Sequence, residues 1–254
     1  MWNGLEFSID TRDPDNEIRY FLWTYDEAWE TPIPTPILDI YLGDGEFQMV
    51  NDPNYCYTRD VSSDIRVKST ADLSESVIRD HPIAFISTES TRLTRKYWIR
   101  VRQFGLSEEA FFYHEKLQEM TGQNGSIFDK QPFTLRGNIR NIENQVEIVM
   151  GYFLVSGVST SSVKISANDL PVGYAGVDER YTYCMRRSYI YNVDTNADFD
   201  YIFNRLLPRW NLVFVSREWE ETEMGFDSLL IGLRFAPEDC IDCWGSSEVP
   251  DILE

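Results

Sequence analysis

Histidine is almost absent: the 254 residues hold two, His81 and His114. A histidine-dependent triad or a His-rich metal centre would have to be assembled from that pair alone. His114 precedes Glu115 on a helical pattern but lacks the second histidine at i+4 that a zinc-protease helix uses. Basic charge is scarce as well, with 23 Lys and Arg against 42 Asp and Glu, a formal charge of −19 and a sequence pI near 4.5. Binding nucleic acid or an anionic membrane takes clustered cations, so those partners are disfavoured. No Gly-x-Ser-x-Gly, Gly-x-Gly-x-x-Gly or Walker-type loop occurs, which disfavours standard acyl-transfer and nucleotide chemistry and points to no cofactor. Long apolar runs are missing too. The longest, Ile148 to Val158, is about half of the roughly 20 residues needed to span a bilayer and is broken by Gly151, Ser156 and Gly157. The N-terminal Met-Trp-Asn-Gly-Leu-Glu has neither the basic region nor the apolar core of an export signal.

What the chain does have is core material. Apolar residues make up 43%, with 15 Phe, 14 Tyr and 7 Trp, enough to fold despite the charge. The length allows one large β domain or two small ones, and we read residues 1–254 as a single β-rich unit whose tail, 237–254, is acidic and Cys-containing. Residues 5–10 and 17–25 read as strands joined by the turn Asp13-Pro14-Asp15-Asn16, which predicts a hairpin. The second of them is apolar on both faces. Thr31 to Pro36, with three prolines, reads as an extended loop. In Tyr97 to Phe104, Tyr97, Ile99 and Val101 alternate with Arg100 and Arg102, the period of a half-buried strand. Residues 64–69 and 133–140 read alike. Val146 to Val155 is apolar on both faces and is expected in the centre of a sheet, after a turn at 142–145. Strands are also expected at 212–215 and 229–235.

Two segments carry helical signals. Ser107 is a good N-cap, Glu108 and Glu109 suit the positive helix end, and Ala110, Tyr113, Leu117 and Met120 form a stripe up to Gly122. The other runs over 197–207, with Phe199, Ile202, Phe203 and Leu206 on one side and Pro208 beyond its end. The fold class expected is mainly β, a β sandwich of immunoglobulin or fibronectin type, with two inserted helices near 108–121 and 197–207.

Candidate sites are few. With 42 acids, no carboxylate pair stands out as a glycosidase couple. Asp194-Thr-Asn196-Ala-Asp198-Phe-Asp200 imitates a calcium loop, but Phe199 replaces the turn glycine and Arg205 the closing glutamate, so the segment reads as a helix cap. No catalytic, metal or cofactor residues are assigned. Cys56, Cys184, Cys240 and Cys243 form an even set. A cytosolic protein could carry them as free thiols, but a structural disulfide is favoured, either Cys240 to Cys243 or Cys184 to one of these two. Tyr20, Trp23, Tyr25 and Trp29 are candidate binding aromatics, a stacking platform if they share a face and core or strand packing otherwise.

Several blocks together are similar to a known family. They are Arg19-Tyr-Phe-Leu-Trp-Thr-Tyr-Asp-Glu-Ala-Trp29, Asp64 to Leu73 after Cys56, and Tyr97 to Phe111. Further on come Gly125-Ser-Ile-Phe-Asp-Lys-Gln-Pro132, Gly137-Asn-Ile-Arg140, Val149-Met-Gly-Tyr-Phe153, Leu170-Pro171, Cys184 and Glu238 to Trp244. Over about residues 4–245 the chain resembles the Bacteroidota outer-membrane lipoproteins known as domain of unknown function 4249. Members usually begin with a lipoprotein signal and an immunoglobulin-like domain, so the resemblance implies that this chain matches their C-terminal portion or is one of two pieces. Gly245 to Pro250 departs from the family tail. The resemblance also implies export, a lipid anchor N-terminal to these residues and company with TonB-dependent transporters. It implies no catalytic residues.

The function expected is therefore a non-enzymatic, surface-exposed lipoprotein domain of the outer membrane, partner to a β-barrel transporter or another envelope protein. Two alternatives are a glycan-acting enzyme with paired carboxylates and a purely structural subunit of an outer-membrane complex. The enzyme requires a cleft holding two acids, and the structural subunit a flat apolar interface.

Overall fold

In the computed structural model, described residues are 3–50, 55–122, 135–171, 176, 179–194, 196–221, 228–241 and 243. The strands are β1 (Gly4–Asp13), β2 (Tyr20–Pro32), β3 (Asp39–Gly43), β4 (Glu46–Met49), β5 (Tyr55–Val61), β6 (Arg66–Ser69), β7 (Ser76–Ser87), β8 (Lys96–Leu106), β9 (Val158–Ser166), β10 (Tyr189–Asn192), β11 (Val213–Glu221) and β12 (Ser228–Ala236). The helices are α1 (Glu108–Gly122), α2 (Glu179–Arg187), α3 (Phe199–Tyr201), α4 (Leu207–Trp210) and α5 (Glu238–Ile241), with a π-helical turn at Ile202–Leu206. The protein is mainly β. Its described strands fall into sheets ordered β1-β7, β10-β12-β11, β3-β4 and β5-β2-β8-β9, with β6 also paired to β2. The chain divides into two compact units, the first of residues 1–28, 59–87 and 98–164, the second of 29–58, 88–97 and 165–254.

In the first unit, residues of β2 have neighbours on both edges and are covered on both faces, as their unbroken apolar pattern requires. Tyr20 pairs with Ser69 and Trp23 with Arg66. One face carries Leu22 and Leu106, on which α1 packs Ala110 and Phe111. The Ser107 hydroxyl caps that helix, accepting from the Ala110 amide at 3.3 Å. The expected β1-β2 hairpin does not form. The turn at Asp13 exists, with the Asn16 amide donating to the Asp13 carbonyl at 3.2 Å. Its side chains reach elsewhere, however: Asn16 Oδ1 accepts from the Ser76 amide at 2.6 Å, and β1 pairs antiparallel with β7 from Gly4–Ser87 to Asp13–Ser76. A strand apolar on both faces goes to the centre of the larger sheet, and β1 is left to another partner.

A second expectation fails in this unit. Residues 146–155 form no strand, and neither do 135–140 of the strand expected over 133–140, residues 133–134 lying outside the described set. The reason is local. Gly151 sits at φ +109°, a left-handed conformation that interrupts an extended run, and residues 142–147 fold through bends and a turn.

The second unit has an aromatic core. Phe214, Leu233, Phe235 and Ile202 are buried, with Tyr41, Phe47 and Phe203 packed around them. Tyr41 and Phe203 stack at 4.0 Å between centroids, and Phe203 meets Phe214 edge-on at 5.0 Å. The β3-β4 hairpin turns through Gly43, Asp44 and Gly45, all at positive φ. The helical stretch expected at 197–207 is present, but Pro208 lies within it, in the first turn of α4 where its missing N–H costs little, and the stretch ends at Asn211 with φ +52°. Helix α2 gave no sequence signal. Only Cys184 on it is buried, so it carries no apolar stripe to read. Thr31 and Pro32 close β2, and the extended loop begins at Ile33.

Candidate functional site

The most apolar stretch of the chain lies on the surface of the first unit. Ile142 is 92% exposed, Val146 87%, Met150 75%, Phe153 69% and Val155 81%. Between Glu147 and Asp169 the sequence has no acid, in a chain that carries 42. Isolated exposed apolar residues are ordinary, but a contiguous ribbon of them marks a contact surface. The strap is held, not loose. Tyr152 and Leu154 turn inward against the cluster of Leu22, Leu106 and Phe111, while Phe153 and Val155 face outward, the period-two alternation of an extended chain.

A clasp fixes it. The Asn138 side chain donates from Nδ2 to the Phe153 carbonyl at 2.9 Å and accepts at Oδ1 from the Phe153 amide at 2.7 Å, imitating a ladder pair with a single side chain. Beside it, Gly137 approaches Gly151 so closely that a Cβ there would lie 1.6 Å from the Gly151 carbonyl oxygen. Two blocks of the resemblance, at 137–140 and 149–153, thus meet in space, while the block at 125–132 lies outside the described residues. Residues 136–149 fold around a hollow of about 560 Å³, with Arg136 and Arg140 facing it and Glu147 the one carboxylate on its wall among the described residues.

In the same unit Asp26 is fully buried and gathers three guanidinium groups: Arg100 at 2.7 Å, Arg102 at 2.9 Å and Arg59 at 3.5 Å. Arg100 and Arg102 are the outward residues of the alternation read in 97–104. Alternation alone gives them a face; the carboxylate that β2 places against them leaves no local signature in the sequence. In the second unit Glu30 likewise holds Lys96 at 3.0 Å and Arg95 at 3.6 Å, and Asp39 holds Arg217 at 2.8 Å. Arg217 also lies over the rings of Phe47 and Trp219.

The four candidate aromatics are not one platform. Trp23 is wholly buried, stacked on Phe21 at 5.8 Å and tilted against His81 at 4.6 Å, with its Nε1 donating to Gln103 Oε1 at 2.9 Å. Tyr20 packs on Phe111, in the cluster on the Leu22 face, and strand alternation puts Trp23 on the opposite face. Tyr25 is half-buried, and Trp29, in the second unit, lies under the Arg92 guanidinium at 4.8 Å.

All four cysteines are in disulfides, Cys56–Cys243 and Cys184–Cys240, with Cα–Cα distances of 5.3 and 5.6 Å. Of the two expected pairings, Cys184 to one of the tail cysteines is the one that forms, not Cys240 to Cys243: Cys240 on α5 bridges to α2, and Cys243 reaches β5. The Asp194 loop caps α3, with Asp198 Oδ1 accepting from the Tyr201 amide at 2.9 Å and Asp200 accepting from the Tyr41 hydroxyl at 2.6 Å. Among the described residues no group of three or more His, Cys, Asp or Glu could hold a metal. His81 and His114 are both held below the usual imidazole range by burial, His81 also by Lys68 and Arg66 nearby. Among the described residues, no helix is long and apolar enough to cross a membrane.

A mainly β chain with two disulfides and a clasped apolar strap is the class of protein these observations define. The chain belongs to the family described as Domain of unknown function (DUF4249), whose model matches residues 2–162 and so includes both halves of the clasp. No curated protein and no solved structure matches it.

Proposed function

We propose that this chain is a non-enzymatic domain of an exported cell-envelope lipoprotein, displayed at the outer-membrane surface as accessory or ligand-binding partner of a TonB-dependent transporter. The observation that carries the reading is the apolar strap at 146–155, held outward by side-chain and backbone contacts that would serve nothing if the strap only needed burial. Both disulfides support an oxidising compartment, because cytosolic thiols are kept reduced. The acidic surface suits a domain that stays soluble at high local concentration. The resemblance to outer-membrane lipoproteins supplies the compartment and the transporter. The test is a pull-down with the tagged full chain from detergent-solubilised outer membranes of the source organism. Recovery of a transporter barrel is expected; recovery of no barrel overturns the reading.

A further inference from the structure

We propose that residues 146–155 bind by strand addition, lying along the exposed sheet edge of a partner polypeptide with apolar, uncharged side chains at the contact and basic residues around it. The inference deepens the proposed function, and its partner-binding premise rests on that reading. Three properties of the strap point to this mode. Its side chains alternate: Tyr152 and Leu154 are anchored inward, Phe153 and Val155 offered outward. Its backbone is largely uncommitted past its start: the Val146 and Glu147 amides donate to Asn144 and Phe153 is tied to Asn138, while Met150, Tyr152, Leu154 and Val155 make no backbone hydrogen bond to any described residue. Its composition is that of a strand, apolar and rich in β-branched residues, with no proline and no charge after Glu147. An extended apolar segment with free donors and acceptors is a template for another chain, which satisfies the backbone through main-chain bonds and the alternate side chains through pockets.

Two other occupants fit less well. A bilayer would take up Phe153 and Val155 but leave the free N–H and C=O groups in hydrocarbon, where nothing can satisfy them. A second copy would bring two bodies of charge −19 together. The same charge favours a partner whose contact edge is rimmed with Lys or Arg.

The probe is a synthetic two-stranded hairpin peptide with a Val/Ile edge and terminal lysines, measured by fluorescence anisotropy against the full-length protein. Its control is the same peptide with the edge amides N-methylated. Met150→Lys and Val155→Lys place charge at positions 75% and 81% exposed, so the fold is retained, as far-UV circular dichroism and the thermal midpoint will record. The hairpin is expected to bind, with affinity falling at least tenfold on N-methylation and in either variant. Equal binding of the methylated hairpin, no binding, partition onto neutral phosphatidylcholine vesicles that the variants abolish, or a concentration-dependent dimer that they abolish would each overturn strand addition. The pull-down separates this from the proposed function. A barrel recovered equally by wild type and variants defeats the strap mode alone, and hairpin binding without any barrel defeats the transporter assignment alone.

Discussion

Asp26 and Arg100 form a partly buried ion pair, Arg100 Nη2 lying 2.7 Å from Asp26 Oδ2 and Nε 3.2 Å from Oδ1. The two-point geometry matches a planar guanidinium to a carboxylate, and Arg102 closes on the same acid from the next outward position of β8. One carboxylate without exposure thus organises three cations drawn from β5 and β8. The asymmetry has a consequence: the arginines are partly solvated and can turn to water, whereas Asp26 cannot.

Asp26→Ala should cost about 2–3 kcal/mol, because it removes the shared counter-charge of three converging cations, which recover only part of the loss by turning to water. Arg100→Met should cost less, about 1–2 kcal/mol, since Arg102 and Arg59 still serve the carboxylate. Urea unfolding of the two variants checks the order. Equal losses would mean that the acid is not the organising member.

The clasp gives a second prediction. Gly137→Ala forces a Cβ to within 1.6 Å of backbone oxygen, which no side-chain rotation relieves, so the strap must shift. Asn138→Ala removes two hydrogen bonds at the surface and should cost about 1–2 kcal/mol. In both variants the Phe153 amide should lose its protection against hydrogen exchange. Unchanged exchange at Phe153 would show that the strap holds its course without Asn138.

The disulfides close loops of different length, with sequence separations of 56 and 187. By loop-closure entropy, removing Cys184–Cys240 should cost about 4 kcal/mol and removing Cys56–Cys243 about 5 kcal/mol, a small difference because the cost grows only with the logarithm of length. Paired Cys→Ser variants measured by guanidinium unfolding test this, and non-reducing peptide mapping should find those two linkages and no Cys240–Cys243 bridge.

The elements legible in the sequence include those whose burial is periodic, β8 through Tyr97, Ile99 and Val101, α1 through Ser107 and its acids, and the 199–210 stretch through Phe199 and Ile202, together with β2 through its unbroken apolar run. The errors share one cause. An apolar run declares that it will be covered, but not by what or when. Val146 to Val155 reads as a central strand because its composition is one, and only the positive φ of Gly151 and the reach of Asn138 keep it out of the sheet. Helix α2 was invisible for the opposite reason, being fixed by the Cys184 bridge rather than by an apolar face. The arginine cluster on Asp26 joins residues 33 to 76 positions apart, a relation that no local spacing encodes.

Both histidines set a pH dependence whose sign follows from their surroundings. Burial holds His81 and His114 below the ordinary imidazole value of 6.5, and the charges of Lys68 and Arg66 push His81 the same way. The unfolded chain, with ordinary imidazoles, takes up protons first as pH falls. Stability is accordingly full above pH 6.5 and declines as pH drops through that value, levelling off only below the folded-state pKa values. Each Nε2 is buried without a hydrogen-bond partner among the described residues, so no acceptor rewards the protonated form. His81 faces Trp23, and His114 packs against Tyr113 and Tyr152, the inward anchor of the strap. Urea midpoints at pH 7.5 and 5.5 should differ in the wild type, less in His114→Gln or His81→Gln, and least in the double variant. Because His114 touches Tyr152, the His114→Gln change should also weaken the acid-induced rise in hydrogen exchange at Phe153, whereas His81→Gln should leave that rise intact. An acid response that survives in the double variant would assign it to the carboxylates instead.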